Sequence, residues 1–155
     1  MNEILVLGIG NKLMMDDGIG AYVVETLSRR NVHININYIV GETDVYYCLK
    51  QIKEASFLIV LDAACLNKTP GTISIIPLAQ IFEVPIHSFS LHDFNLLSEI
   101  SMKGNDVEGL FIGIEPYEIN YCYGLSSFLQ EQYLEIVEKV EEVIIEYLTK
   151  RHRYF

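Results

Sequence analysis

Ile4-Leu5-Val6-Leu7-Gly8-Ile9-Gly10-Asn11, running on through Lys12 to Met15 into Asp16-Asp17-Gly18-Ile19-Gly20, is the stretch from which the fold can be read. Glu3 to Gly8 is nearly continuous in Ile, Leu and Val, a pattern that suits a strand covered on both faces. From Gly18 to Arg29, Ile19, Val23 and Leu27 recur four residues apart, the period of one helix face. A buried strand, a glycine-flanked loop and a helix therefore open the chain.

The same alternation continues outward. Ile34 to Val40 reads as a second strand, and Asp44 to Ile52 as a helix with Val45, Cys48 and Leu49 on its apolar side. Phe57 to Leu61 is a third apolar strand ended by Asp62, and after Pro70-Gly71 the β-branched stretch Thr72 to Ile76 is a fourth. His92 to Met102 has Phe94, Leu97 and Ile100 at helical spacing and stops at Gly104-Asn105; Val107 to Ile114 returns to strand character. The last segment carries a stripe of Leu129, Ile136, Val140, Val143, Ile144, Tyr147 and Leu148 opposite several glutamates, with Ser127 and Gln130 spaced as a capping box. Strands alternating with helices predict an α/β fold with a mostly parallel sheet and helices on both faces. The 155 residues suffice for one domain, expected to span 1–155.

Half the residues are apolar, enough to fill a core, while no apolar run approaches the roughly 20 residues that cross a bilayer. The net charge of −10 repels phosphate backbones and anionic lipid, so neither nucleic acid nor a membrane is an expected partner. The one basic cluster, Lys150-Arg151-His152-Arg153, ends a helical pattern, where positive charge complements the helix dipole. The N-terminus lacks the features of an export signal, which points to the cytoplasm. Cys48, Cys65 and Cys122 are odd in number and widely spaced, as expected of reduced thiols that help fill the interior.

In an open parallel sheet, functional groups gather beyond the carboxyl ends of the strands. The first loop superficially resembles a dinucleotide-binding turn, but Leu13 stands where the third glycine belongs, and Asp16 and Asp17 would repel a diphosphate. Carboxylates in such a loop suit a cation, or a helix cap. Asp62 ends the third strand at the same edge, and His92 begins the next helix; together they offer oxygens and an imidazole nitrogen with coordination positions left open. His87, between Pro85-Ile86 and Ser88, is the rival nitrogen donor.

These motifs resemble the maturation endopeptidases of nickel-iron hydrogenases. The opening segment is similar to the family's signature. Leu61-Asp62-Ala63-Ala64, Pro70-Gly71-Thr72, Ser90-Leu91-His92, Gly113-Ile114-Glu115-Pro116 and Gly124-Leu125-Ser126 then follow in the family's order. The resemblance implies a three-layer α/β/α sandwich and a nickel-sensing site of Asp17, Asp62 and His92, which would serve as both metal ligands and catalytic residues. It implies nickel carried in by the large-subunit precursor, whose C-terminal extension is removed, and it admits other divalent ions at the site in vitro. One departure stands out: the family often reads Asp-Gly-Gly-Thr after the second strand, whereas this chain has Val40-Gly41-Glu42-Thr43-Asp44. The absence of a G-x-S-x-G elbow agrees with hydrolysis without a serine nucleophile. A nucleotide-binding module and a non-catalytic, precursor-binding chaperone are the alternatives. The charged face of the last helix, without a sustained heptad, predicts a monomer, and Glu115-Pro116 is expected to lie at the edge of the sheet that carries Asp17.

Overall fold

A computed structural model describes residues 4–30, 33, 35–102 and 108–152. Five strands and four helices follow one another as β1 (Ile4–Ile9), α1 (Ile19–Arg30), β2 (Ile36–Glu42), α2 (Val45–Ile52), β3 (Phe57–Ala63), β4 (Ile73–Pro77), α3 (Leu91–Met102), β5 (Glu108–Ile114) and α4 (Ser127–His152). Short 3-10 helices cover Met15–Gly18, Leu78–Glu83 and Ile86–Ser88. Glu3, Ile34, Gly104-Asn105, Val107 and Arg153, on which some sequence expectations rest, lie outside the described residues.

The strands form one sheet in the order β2-β1-β3-β5-β4. β2, β1, β3 and β5 are parallel, and β4 closes the β5 edge antiparallel, so the sheet is mostly parallel as expected. Alternation along the strands sorts the core into two layers. Val6, Phe57, Ile59 and Leu61 pack with Val23 and Leu27 of α1 and with Ile136, Val140 and Ile144 of α4. Leu5, Leu7, Leu58 and Val60 pack with Cys48 and Ile52 of α2 and with Leu96, Leu97 and Ile100 of α3. Two helices on each face of one sheet make the three-layer α/β/α sandwich. Gly20 sets how closely α1 lies on the sheet, because a Cβ there would sit 2.2 Å from the carbonyl oxygen of Leu61.

Three local expectations are corrected. Asp62 does not follow β3 but lies within it, since the pairing with β5 continues through Asp62–Gly113 and Ala63–Ile114. The long helix is capped by Ser126 rather than Ser127: the Leu129 N–H donates to Ser126 Oγ at 3.2 Å, leaving the Ser127–Gln130 box unformed. Of the three free thiols only Cys48 is buried; Cys65 and Cys122 sit on exposed loops, where they fill no core.

Candidate active site

β1 has β2 on one side and β3 on the other, so the connections leaving β1 and β3 diverge. This is the topological switch point, where open α/β sheets form their crevice. Asp62 has the same parity as Leu58 and Val60, which directs its side chain toward the α2/α3 layer just inside the carboxyl edge. The residue is completely buried. Its Oδ1 accepts the Ala63 N–H at 2.8 Å, while its Oδ2, equally buried, has no donor.

The loop after β1 brings the other acidic residues to this point. Gly10, at φ +124, turns the chain so tightly that a Cβ there would lie 2.0 Å from the Asp17 carbonyl oxygen and 3.3 Å from Asp62 Oδ1. Asp17, 8% exposed, accepts the Asn11 N–H on Oδ2 at 3.0 Å. Asn11 in turn accepts Leu13 N–H on its side chain and Met14 N–H on its carbonyl. The loop donors a diphosphate would need are thus engaged internally, a second objection to the dinucleotide reading.

Asp16, adjacent in sequence, does something different. It is fully buried, and its carboxylate accepts Tyr117 N–H, Glu118 N–H, Ser126 N–H and Ser126 Oγ–H at 3.0, 2.9, 2.7 and 2.7 Å. It neither caps α1 nor faces Asp62; it anchors the 116–126 segment and the start of α4 to the first loop. Sequence spacing could not separate the two aspartates. No local signal marks Asp16, because the N–H groups it accepts, those of Tyr117, Glu118 and Ser126, lie about a hundred residues further along the chain. Glu115 is a second such anchor, on the expected edge: its Oε1 and Oε2 accept Leu66 N–H at 3.2 and 2.8 Å, and Oε1 also accepts Lys68 N–H at 3.1 Å.

The start of α3 supplies both the expected histidine and an acid that sequence reasoning passed over. Ser90 Oγ accepts the Asp93 N–H at 3.3 Å and donates to Asp93 Oδ2 at 2.6 Å, fixing the first turn. Asp93 is buried and faces Asp62, whereas His92 is exposed. Burial first, then the Asp93 carboxyl, pushes the Asp62 pKa well above the usual carboxylate range. Burial likewise raises that of Asp17, against the Asn11 hydrogen bond, with Asp93 adding to the rise and His92 opposing it. The Ser90–Asp93 pair caps the helix, and a capping residue carries no sequence mark that its carboxyl also faces inward.

Asp17, Asp62 and His92 therefore meet at one edge, but among the described residues no three His, Cys, Asp or Glu side chains are close enough to hold a metal ion. The expected shared-ion geometry is not formed by the protein alone, because the turn of α3 directs Asp93, not His92, at Asp62. The donor set still suits a cation: a buried carboxylate oxygen without a donor, beside two more buried carboxyls and an imidazole. His87 is likewise exposed, in the Ile86–Ser88 turn. Glu42, Cys48, His92 and Asp93 share the wall of a narrow crevice, and Glu42 holds the left-handed φ of +51 at the position of the family's second glycine.

Comparison with known proteins agrees with this architecture. Residues 21–145 match the sequence profile of hydrogenase maturation proteases. A putative hydrogenase maturation protease of Methanocaldococcus jannaschii is 31% identical over 148 residues, covering 92% of this chain and 94% of the relative. A hydrogenase expression/formation protein, HupD, of Thiocapsa roseopersicina is 32% identical over 96% of this chain and 68% of its own length. Among solved structures, the hydrogenase maturating endopeptidase HybD from E. coli superposes with a TM-score of 0.75 at 26% identity, covering 94% of this chain and 93% of that one. The HybD protease from Thermococcus kodakarensis gives 0.70 at 25% identity, over 91% and 98%.

Proposed function

The chain belongs to the hydrogenase maturation proteases, enzymes that hydrolyse peptide bonds, and on that premise we propose that it removes the C-terminal extension of a nickel-loaded hydrogenase large-subunit precursor. Nickel enters as part of the substrate. Asp62, with Asp17 beside it, meets the ion from inside the sheet edge, and His92, exposed on the first turn of α3, meets it from the partner's side.

The observation that carries this reading is Asp62 Oδ2, buried without a donor and faced by a second carboxyl. Buried anionic oxygens are costly unless a proton, a donor or a cation compensates them. A cation delivered with its own ligands by the precursor supplies that compensation at the moment of docking, in place of the proton that burial favours on Asp62, and processing thereby waits for metal insertion. Held between precursor and protease, the nickel polarises the scissile carbonyl or activates a water, and the Asp17 and Asp62 carboxyls are the groups near enough to orient that water. No serine or cysteine nucleophile is required. Among the described residues no helix is long and apolar enough to cross a membrane, and in this reading the enzyme works as a cytoplasmic monomer.

The test is incubation of the protein with its cognate precursor in nickel-loaded and nickel-free forms, followed by intact mass measurement. Loss of a C-terminal fragment from the loaded form alone is the expected result. Equal cleavage of both forms would remove nickel from the mechanism, and cleavage of neither would refute the assignment of substrate.

A further inference from the structure

The carboxyl edge that carries the candidate site is bordered by large apolar side chains left in solvent. Leu13 in the first loop is 50% exposed, and the 116–126 segment adds Tyr117 at 58%, Ile119 at 39%, Tyr121 at 85% and Tyr123 at 72%. Tyr117 is stacked on Phe128 with ring centroids 4.8 Å apart. Scattered exposed apolar residues need no explanation, but a contiguous aromatic group on one segment marks an interaction surface.

The ledge is rigid and is joined to the site. Besides the four bonds to Asp16, Met15 N–H donates to the Cys122 carbonyl at 3.0 Å, Asp16 N–H to the Glu118 carbonyl at 3.2 Å and Gly124 N–H to the Lys12 carbonyl at 3.3 Å. The loop that bears Asp17 and the segment that bears the tyrosines therefore form one hydrogen-bonded body. Tyrosines held this way offer wide contact area at little entropic cost, as interface anchors do.

Charge decides the occupant. Glu42 and Glu118 are exposed at this edge, while Asp17, Asp62 and Asp93 are buried in it. Its nearby lysine, Lys12, is already engaged by Glu25 at 3.0 Å and Glu42 at 3.6 Å. A second copy of the chain would bring the same acidic edge against itself, and the whole chain carries a charge of −10. A partner that presents a cation beside an apolar surface complements it. We propose that the Leu13–Tyr117–Tyr121–Tyr123 ledge is the docking surface for the folded body of the metal-bearing precursor, seating apolar side chains next to the segment to be cut. This rests on the assignment of substrate above.

The experiment compares wild-type protein with the double variant Tyr121→Ser/Tyr123→Ser and with Leu134→Ser, which removes another exposed apolar side chain, from α4. Thermal melting verifies that all three are folded. Binding to the immobilised nickel-loaded precursor and steady-state processing are then measured. Losing two anchors is expected to weaken binding and raise KM by about tenfold or more with kcat retained, because binding common to ground and transition states is lost, while Leu134→Ser matches wild type. Unchanged KM and affinity in the double variant would overturn the ledge while wild-type cleavage upheld the substrate. Loss of binding in the double variant, with no cleavage by the wild type, would uphold the ledge and fault the reaction instead. A wild-type dimer in sedimentation that the double variant splits would assign the surface to a second copy and overturn the proposal.

Discussion

Replacing Asp16 by Ala should strip the fold of several kilocalories, whereas replacing Asp17 by Asn should leave its stability nearly unchanged. Asp16 accepts four hydrogen bonds at 2.7 to 3.0 Å in a fully buried setting, and each bond to a charged acceptor contributes about 1.5–3 kcal/mol. The losses do not add in full, since the 116–126 segment can lift away and hydrate its freed N–H groups. A net cost of about 3–5 kcal/mol follows, similar to breaking a buried charge pair. Against a total of about 5–15 kcal/mol this is a large fraction, and for a chain of this size it lowers Tm by about 6–20 °C. Asp17 accepts one bond, from Asn11, and burial already disfavours its charged form, so the neutral Asn isostere costs about 1 kcal/mol or less. Urea unfolding followed by far-UV circular dichroism measures both. Midpoints that coincide for the two variants, or Asp17→Asn as the less stable, would refute the division of labour between these adjacent carboxylates.

Thiol reactivity should divide in the same structural terms: burial pushes the Cys48 pKa up to about 11, so at pH 8 it stays a shielded thiol, and Ellman's reagent should titrate Cys65 and Cys122 in the native protein and all three in denaturant. Gly20→Ala drives a Cβ to 2.2 Å from the Leu61 carbonyl oxygen, a backbone atom that cannot step aside. It should cost about 3 kcal/mol or more in urea unfolding and displace α1 from β3. Glu42→Gly releases a left-handed residue at φ +51, a gain of about 1–2 kcal/mol offset by added freedom in the unfolded chain. Its melting temperature should therefore match or slightly exceed that of wild type, and a clear drop would show that the Glu42 side chain stabilises the crevice.

Much of the architecture was legible because the chain's hydrophobic periods are clean. Buried parallel strands need unbroken Ile, Leu and Val, and Phe57 to Leu61 could hardly be anything else. Asp62 was harder, since a strand is expected to stop at a charge; here the carboxylate continues the ladder to Gly113 because only its side chain, not its backbone, is out of place. The polarity of β4 could not be read from Thr72 to Ile76, as nothing in a short β-branched run specifies the direction of its partner. The positions of Asp17, Asp62 and His92 were legible as strand-edge carboxylates and a helix-start imidazole. Their relative depth was not: which of His92 and Asp93 points inward depends on the phase of α3, fixed by the Ser90 cap and visible only in three dimensions. The same holds for Asp16, whose partners lie about a hundred residues away.

The central claim is that Asp17, Asp62 and His92 act together on the nickel presented by the precursor. Single Ala variants at each position, verified as folded by thermal melting and then given the nickel-loaded precursor, test it most directly through the initial rate of fragment release. The account predicts that each rate falls by orders of magnitude while His87→Ala cleaves like wild type. Full processing by all three variants would contradict the mechanism, and full processing by His92→Ala with loss in His87→Ala would give the imidazole role to the other histidine.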